Sequence, residues 1–368
     1  MALLPPSVDP FYAPVAAGRP GSLLRARRVD VPTVGPSAAW QVVYGSTGAR
    51  GQPITVSGTV IRPNAPWSGP GPRPVLSFGV GVHGLGRDSA PGYLLRLGTE
   101  AEIPLIDLAL SRGWTVAVSD GDGLGMAGPH TYGAGRPGGH ALLDIVRAAV
   151  HCGADVAPDP PVLIWGYSEG GRCAAWAAEL QPTYAPDLRV VGVAAGGVPS
   201  DLRAVAKAID GGPFSGLGLA VLIGIAHAYQ DPALDRILSP QGRVAAAHAA
   251  TLDVVGLVVE HPEPLRHHTV RDEPWDEPAW RDVLERERAG RRRPAAPVYL
   301  YHVTNDGLVP TSLGRDLCAD YTALGAEVTW AEITADDHLT GAFVGAPGAV
   351  DWLAGITRSA PAVPATSP

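Results

Sequence analysis

Hydrophobic positions along the chain fall into short blocks that switch between two periods. Residues 40–47 ("WQVVYGST") and 53–63 ("PITVSGTVIRP") carry β-branched residues in partial alternation after a Pro-rich opening. The Gly48–Gly51 turn between them predicts a hairpin. Residues 75–82 ("VLSFGVGV") read as a buried strand, followed by a helix over about 100–112 that stops at Gly113. The next strand is 114–120 ("WTVAVSD"). In 141–152, Leu142, Ile145, Val146, Ala149 and Val150 share one face at helical spacing. Residues 161–167 ("PVLIWGY") form a continuously apolar run of the kind buried on both faces of a parallel sheet. A helix ("GGRCAAWAAEL"), a strand at 188–197, a strand at 297–303, a helix at 313–325, a strand at 326–333 and a helix at about 346–355 complete the series. Strands alternating with helices predict an α/β fold with a mostly parallel central sheet and helices on both faces.

Residues 200–295 break this rhythm. A structureless loop of that length is improbable inside a compact domain. The expectation is one domain over 1–368 with an inserted helical cap at 200–295. The cap contains the most apolar stretch, 211–229 ("GGPFSGLGLAVLIGIAHAY"). It approaches membrane-span length, but Pro213, His227, several glycines and the lack of a basic flank favour a buried helix over a transmembrane span. Phe214, Leu217, Leu219 and Leu222 are its candidates for lining an apolar pocket.

The chemistry is concentrated after strand 161–167. Gly166-Tyr167-Ser168-Glu169-Gly170 fits G-x-S-x-G, in which a sharp strand-to-helix turn exposes the serine above the sheet. Glycines at 166 and 170 keep side chains out of the turn, and the amide of Glu169 faces a developing oxyanion. A serine nucleophile needs a base held by a third group. In this arrangement the order along the chain is serine, acid, histidine. Asp306 lies just past the strand 297–303, and His338 just past the strand 326–333, so both fall at the carboxyl edge where catalytic groups collect on parallel sheets. The rivals are Asp336 and Asp337, too close to His338 for good orienting geometry, and His302, read as a packed core histidine. His83 and Gly84, in the loop after strand 75–82, are read as backbone oxyanion donors.

Composition narrows the alternatives. The net charge is -8 and there is a single lysine, Lys207. No basic stripe with interleaved aromatics is present, which argues against a nucleic-acid partner. Arg291, Arg292 and Arg293 read as a solvated loop. Three widely spaced cysteines, Cys152, Cys173 and Cys318, argue against a disulfide framework. His267 and His268 read as a surface pair, and His261 sits in a Pro-rich segment; no spacing matches a known zinc site, so no metal and no cofactor is expected. Gly123, Gly125 and Gly128 satisfy G-x-G-x-x-G, with Asp144 downstream. A dinucleotide site also needs a helix opening at those glycines, and the prolines at 129 and 137 are read as preventing any helix from starting there. The N-terminus has no basic n-region or long apolar core, so no signal peptide is visible; with no disulfide framework this leans towards the cytoplasm and leaves the location open.

Four blocks then carry a family resemblance: 166–202, 211–220 ("GGPFSGLGLA"), 305–310 ("NDGLVP") and 336–343 ("DDHLTGAF"). The run "YAPDLRVVGVAAGG" behind the serine is the most specific part. The chain resembles the secretory lipases of the lipase-A type over almost its whole length. The resemblance implies an α/β-hydrolase core, a cap over an acyl-binding tunnel, and a triad matching Ser168, Asp306 and His338. It also places "VHGLGRDSAPGY" as the oxyanion loop, with Ser89 where many members carry a cysteine. The expected activity is hydrolysis of small acyl esters of short or medium chain. The other readings are an acyltransferase or thioesterase using the same triad, or a non-catalytic binding protein on a hydrolase fold.

Overall fold

The computed structural model describes residues 3–230 and 233–359. Among the described residues nine strands build one sheet: β1 Leu23–Val29, β2 Ser37–Thr47, β3 Pro53–Pro63, β4 Val75–Gly79, β5 Thr115–Ser119, β6 Val162–Tyr167, β7 Val190–Gly196, β8 Val298–Val303 and β9 Val328–Ile333. Their order is β1-β2-β3-β5-β4-β6-β7-β8-β9. The hairpin β2–β3 pairs Ser37 with Pro63 through to Thr47 with Pro53. Pairing is antiparallel from β1 through β3 to β5 and parallel from there to β9.

The inner parallel strands, β4 to β8, are mostly apolar on both faces because both are covered, whereas the edge strand β9 exposes Thr329 and Glu332. On β6, Val162 and Ile164 join the cluster under the helices Gly135–Ala149 and Glu169–Tyr184. Leu163, Trp165 and Tyr167 join the opposite cluster, under Ile103–Ser111 and His338–Ser359. This period-two split of a continuously apolar strand is what a parallel sheet demands.

Four details differ from the sequence expectations. β1, "LLRARRV", falls within the expected coil. Arg25, Arg27 and Arg28 mask its pattern on an edge strand, where charge discourages further pairing. β4 ends at Gly79 rather than 82. The last helix begins at His338 itself, eight residues earlier than expected. Finally, a helix does begin in the glycine- and proline-rich stretch, at Gly135 with Pro137 in its first turn, where the missing amide costs no intrahelical bond. Gly123, Gly125 and Gly128 themselves lie in the preceding loop.

Between β7 and β8 the described residues form no strand but five α-helices: Leu202–Ile209, Ser215–Tyr229, Pro240–Ala249, Val254–Glu260 and Pro278–Arg286. Ser215–Tyr229 is the apolar stretch, mostly buried, as expected for a helix hydrophobic all round. Its glycines permit close packing: a Cβ on Gly216 would lie 2.0 Å from the Leu257 carbonyl oxygen, and one on Gly224 2.2 Å from that of Tyr132. Among the described residues one helix, His338–Arg358, is long and apolar enough to cross a membrane; here it packs on β7 and β8. A fully buried ion pair ties the insertion to the core. Arg172, on the helix after β6, donates to the Glu287 carboxylate at 2.7 Å and to the carbonyls of Gly133 and Pro199. Tyr229 and the Gly135 amide also donate to Glu287.

Candidate active site

Ser168 joins β6 to the helix Glu169–Tyr184 with φ +57° and ψ -121°. A positive φ is strained for a residue with a side chain. It is held because the Ser168 amide donates to the Gly196 carbonyl at 2.9 Å and the helix follows at once. The flanking glycines are a steric requirement. A Cβ on Gly170 would lie 1.9 Å from the Gly79 carbonyl oxygen, and one on Gly166 2.3 Å from the Gly170 backbone.

Asp306 and His338 arrive from the ends of β8 and β9. His338 Nε2 lies 2.8 Å from Ser168 Oγ, and its Nδ1 2.6 Å from Asp306 Oδ2. Asp306 Oδ1 accepts the amides of Leu308 and Val309 at 2.9 and 2.8 Å. Burial would raise the Asp306 carboxyl, but hydrogen bonds from His302, His338 and the Val309 amide outweigh it and hold the group well below the usual carboxylate range. An acid held ionised can fix the imidazole tautomer and stabilise the imidazolium. Asp337 instead caps the helix start, its Oδ1 accepting the Thr340 amide at 2.7 Å, and Asp336 is exposed.

His302 is buried, as expected of a core histidine, but it does more than pack. Its Nε2 donates to the Val309 carbonyl at 2.9 Å and lies 3.3 Å from Asp306 Oδ2. The i, i+4 spacing His302–Asp306 was the available sequence signal. Tyr167 places its ring 5.0 Å from that of His338.

The loop after β4 holds a second polar cluster. His83 Nδ1 faces the Gly81 carbonyl at 2.8 Å and Nε2 faces Glu100 at 2.7 Å. Both partners accept, so both ring nitrogens carry protons. Burial opposes that charge, but the Glu100 hydrogen bond and charge win and raise His83 to about 9. With no lone pair to offer, its imidazole is not a base. Glu102 accepts the Gly81 amide at 2.9 Å, and burial raises it to about 7. Gly84 departs from the sequence expectation. It pairs with Asp253, against whose backbone a Cβ would clash at 2.5 Å, and it is absent from the cavity wall that Gly81, Val82 and His83 form.

A cavity of about 760 Å³ opens on Ser168 and His338. Phe214, Leu217, Gly218 and Val221 line it from the helix Ser215–Tyr229 and its N-cap, with Val254 and Val258 beside them. Leu219 and Leu222, expected there too, are buried but absent from the cavity wall. The i, i+3, i+4, i+7 stripe of this helix runs through 214, 217, 218 and 221. The Glu169 side chain also reaches the cavity, where it accepts the Gly133 amide at 3.2 Å and burial raises its pKa. The three cysteines are free.

A strand-to-helix elbow, with acid and histidine at successive strand ends of a mostly parallel sheet, defines an α/β-hydrolase. The comparisons agree. The family described as secretory lipase matches residues 90–364. A Mycobacterium tuberculosis protein named a probable inactive lipase is 31% identical, over 95% of this chain and 81% of its own. Lipase A of Arthroderma benhamiae is 30% identical, over 96% and 80%. The closed-state structure of Candida antarctica lipase A superposes with a TM-score of 0.87 at 24% identity, over 99% and 89%. This chain belongs to the secretory lipase family and is a carboxylic ester hydrolase. The family is named for secretion, so the lean towards the cytoplasm finds no support in it.

Proposed function

We propose that the protein hydrolyses small acyl esters of short or medium chain through a Ser168–His338–Asp306 triad and an acyl-enzyme. The observation that carries this is the continuous hydrogen-bonded line from Ser168 Oγ through both ring nitrogens of His338 to Asp306. His338 takes the Ser168 proton as Oγ attacks the ester carbonyl, and Asp306 stabilises the imidazolium. The imidazolium then protonates the departing alcohol, leaving an ester on Ser168. A water, deprotonated by His338, attacks that ester and releases the acid. The Glu169 amide and an amide of the Val82–His83 loop stabilise the oxyanion, each donor contributing about 3 kcal/mol. The Gly81 amide is already taken by Glu102.

Residues 200–295 act as a cap within a single domain, and its wall at Phe214, Leu217 and Val221 receives the acyl chain. The exposed Val255, Val259, Leu339 and Phe343 give the cavity an apolar rim suited to a water-poor substrate. The test is turnover of p-nitrophenyl esters from acetate to palmitate by the wild type and by Ser168→Ala. A preference for the shorter chains and loss of turnover in the variant are expected; undiminished turnover in Ser168→Ala contradicts the proposal.

A further inference from the structure

The helical insertion holds a second chemical cluster, away from the triad residues. His261 is 5% exposed and His268 4% exposed. Nε2 of His261 and both ring nitrogens of His268 are buried with no hydrogen-bond partner. A buried polar atom without a partner is costly, and three of them on neighbouring rings point to a ligand. Glu263 stands between them: one ring nitrogen of each histidine and a Glu263 carboxylate oxygen lie within 4.8 Å of one another. The two rings meet edge to face with centroids 6.0 Å apart.

The backbone presets this arrangement. Pro262 and Pro264 bracket Glu263 and fix φ on either side. The turn Leu265–His267 then brings His268 back towards His261. Ser215 Oγ donates to the Glu263 carbonyl at 3.0 Å, and the Ser239 amide to the His268 carbonyl at 2.9 Å. A Cβ on Gly242 would sit 1.8 Å from that same His268 oxygen, so the helix Pro240–Ala249 is pressed against the loop.

We propose that His261, Glu263 and His268 form a binding site for a zinc-type divalent cation, with water completing a tetrahedral set. Two imidazoles and one carboxylate suit zinc and its first-row neighbours; calcium and magnesium prefer oxygen alone. Bonds of about 2.0–2.2 Å require the donors to draw together. The half-exposed Glu263 carboxylate, 3.9 Å from His268 Nε2, supplies that movement. His267 is exposed and lies outside the donor set.

The position gives the cation a purpose. His261 directly follows the helix Val254–Glu260. The other end of that helix is tied to the loop after β4, where the Val254 amide donates to the His83 carbonyl at 3.0 Å. Val254 and Val258 of the same helix line the cavity. A bound cation pins the free end of this wall.

The full chain, stripped with a chelator, tests this by calorimetric titration with Zn²⁺ and by Co²⁺ absorption. One Zn²⁺ per chain, and the intense visible bands of tetrahedral Co²⁺, are expected. Glu263→Gln and His268→Ala each weaken Zn²⁺ by at least about tenfold, whereas His267→Ala binds as the wild type does. At the same Zn²⁺ concentration the unfolding temperature of the wild type rises more than that of Glu263→Gln. That exposed substitution leaves packing intact, so the test stands even where His268→Ala destabilises the fold. Absence of saturable binding, wild-type affinity in Glu263→Gln, or loss of binding in His267→Ala overturns the proposal.

Discussion

At the sheet edge, Ser168, Asp306 and His338 are fixed by directional hydrogen bonds of 2.6–2.9 Å. Across the same cavity, Leu217 and Val221 meet the ligand space with carbon alone. One wall is specified atom by atom; the other only by shape and volume. Change at the first wall should act on rate, and change at the second on which acyl chain is accepted.

The largest break in that contrast is predicted at the base. His338→Ala should lower kcat by on the order of 10⁴- to 10⁶-fold, with KM nearly unchanged, in steady-state ester hydrolysis. Asp306→Asn should follow at roughly 10⁴-fold, because the imidazole loses its tautomer and its counter-charge. On the opposite wall, Val221→Trp narrows the cavity. It should change the ratio of kcat/KM for long against short acyl chains by at least about tenfold while keeping turnover of acetate. Leu222→Ala sharpens the contrast from the same helix. Its side chain is buried away from the cavity wall, so the variant should lose about 2–5 kcal/mol in urea unfolding with chain-length preference intact.

How much of each wall was legible follows from the same difference. Ser168, Asp306 and His338 could be read because elbow, strand ends and chain order are local signals that the sheet converts into position. Gly84 could not: its backbone turns to Asp253, a residue 169 positions later. Phe214 and Leu217 were separable from Leu219 and Leu222 only once the helix phase was known, since an all-round apolar helix has no polar face to set it. β1 was hidden by its arginines. The Arg172–Glu287 pair spans 115 positions and lacks any local motif. His261, Glu263 and His268 match no known zinc spacing, and burial of the two rings is what sets them apart from the exposed His267.

A smaller effect concerns pH. Glu102 sits at about 7 in the fold, against about 4.3 when free. The fold therefore keeps a proton that the unfolded chain has released, and stability falls as pH rises from about 4.3 to 7. His83, at about 9 against about 6.5 free, contributes fully below 6.5 and loses its contribution as pH rises through 9. Urea midpoints should thus decline from pH 5 to pH 9. Glu102→Gln should flatten the lower limb, worth at most about 3 kcal/mol, and largely keep the upper one. Asp306 has the opposite sign: held low by its hydrogen bonds, it stabilises the fold above about pH 4 and loses that contribution in acid.

A Ser168 activated by the hydrogen-bonded line through His338 to Asp306 should be open to covalent capture. Incubation with an alkyl fluorophosphonate, followed by intact-protein mass spectrometry, should add one phosphonyl group per wild-type chain. A peptide map should place it on Ser168, and Ser168→Ala should add none. Labelling of Ser168→Ala to the wild-type extent, or a wild-type chain left unmodified, would contradict the account.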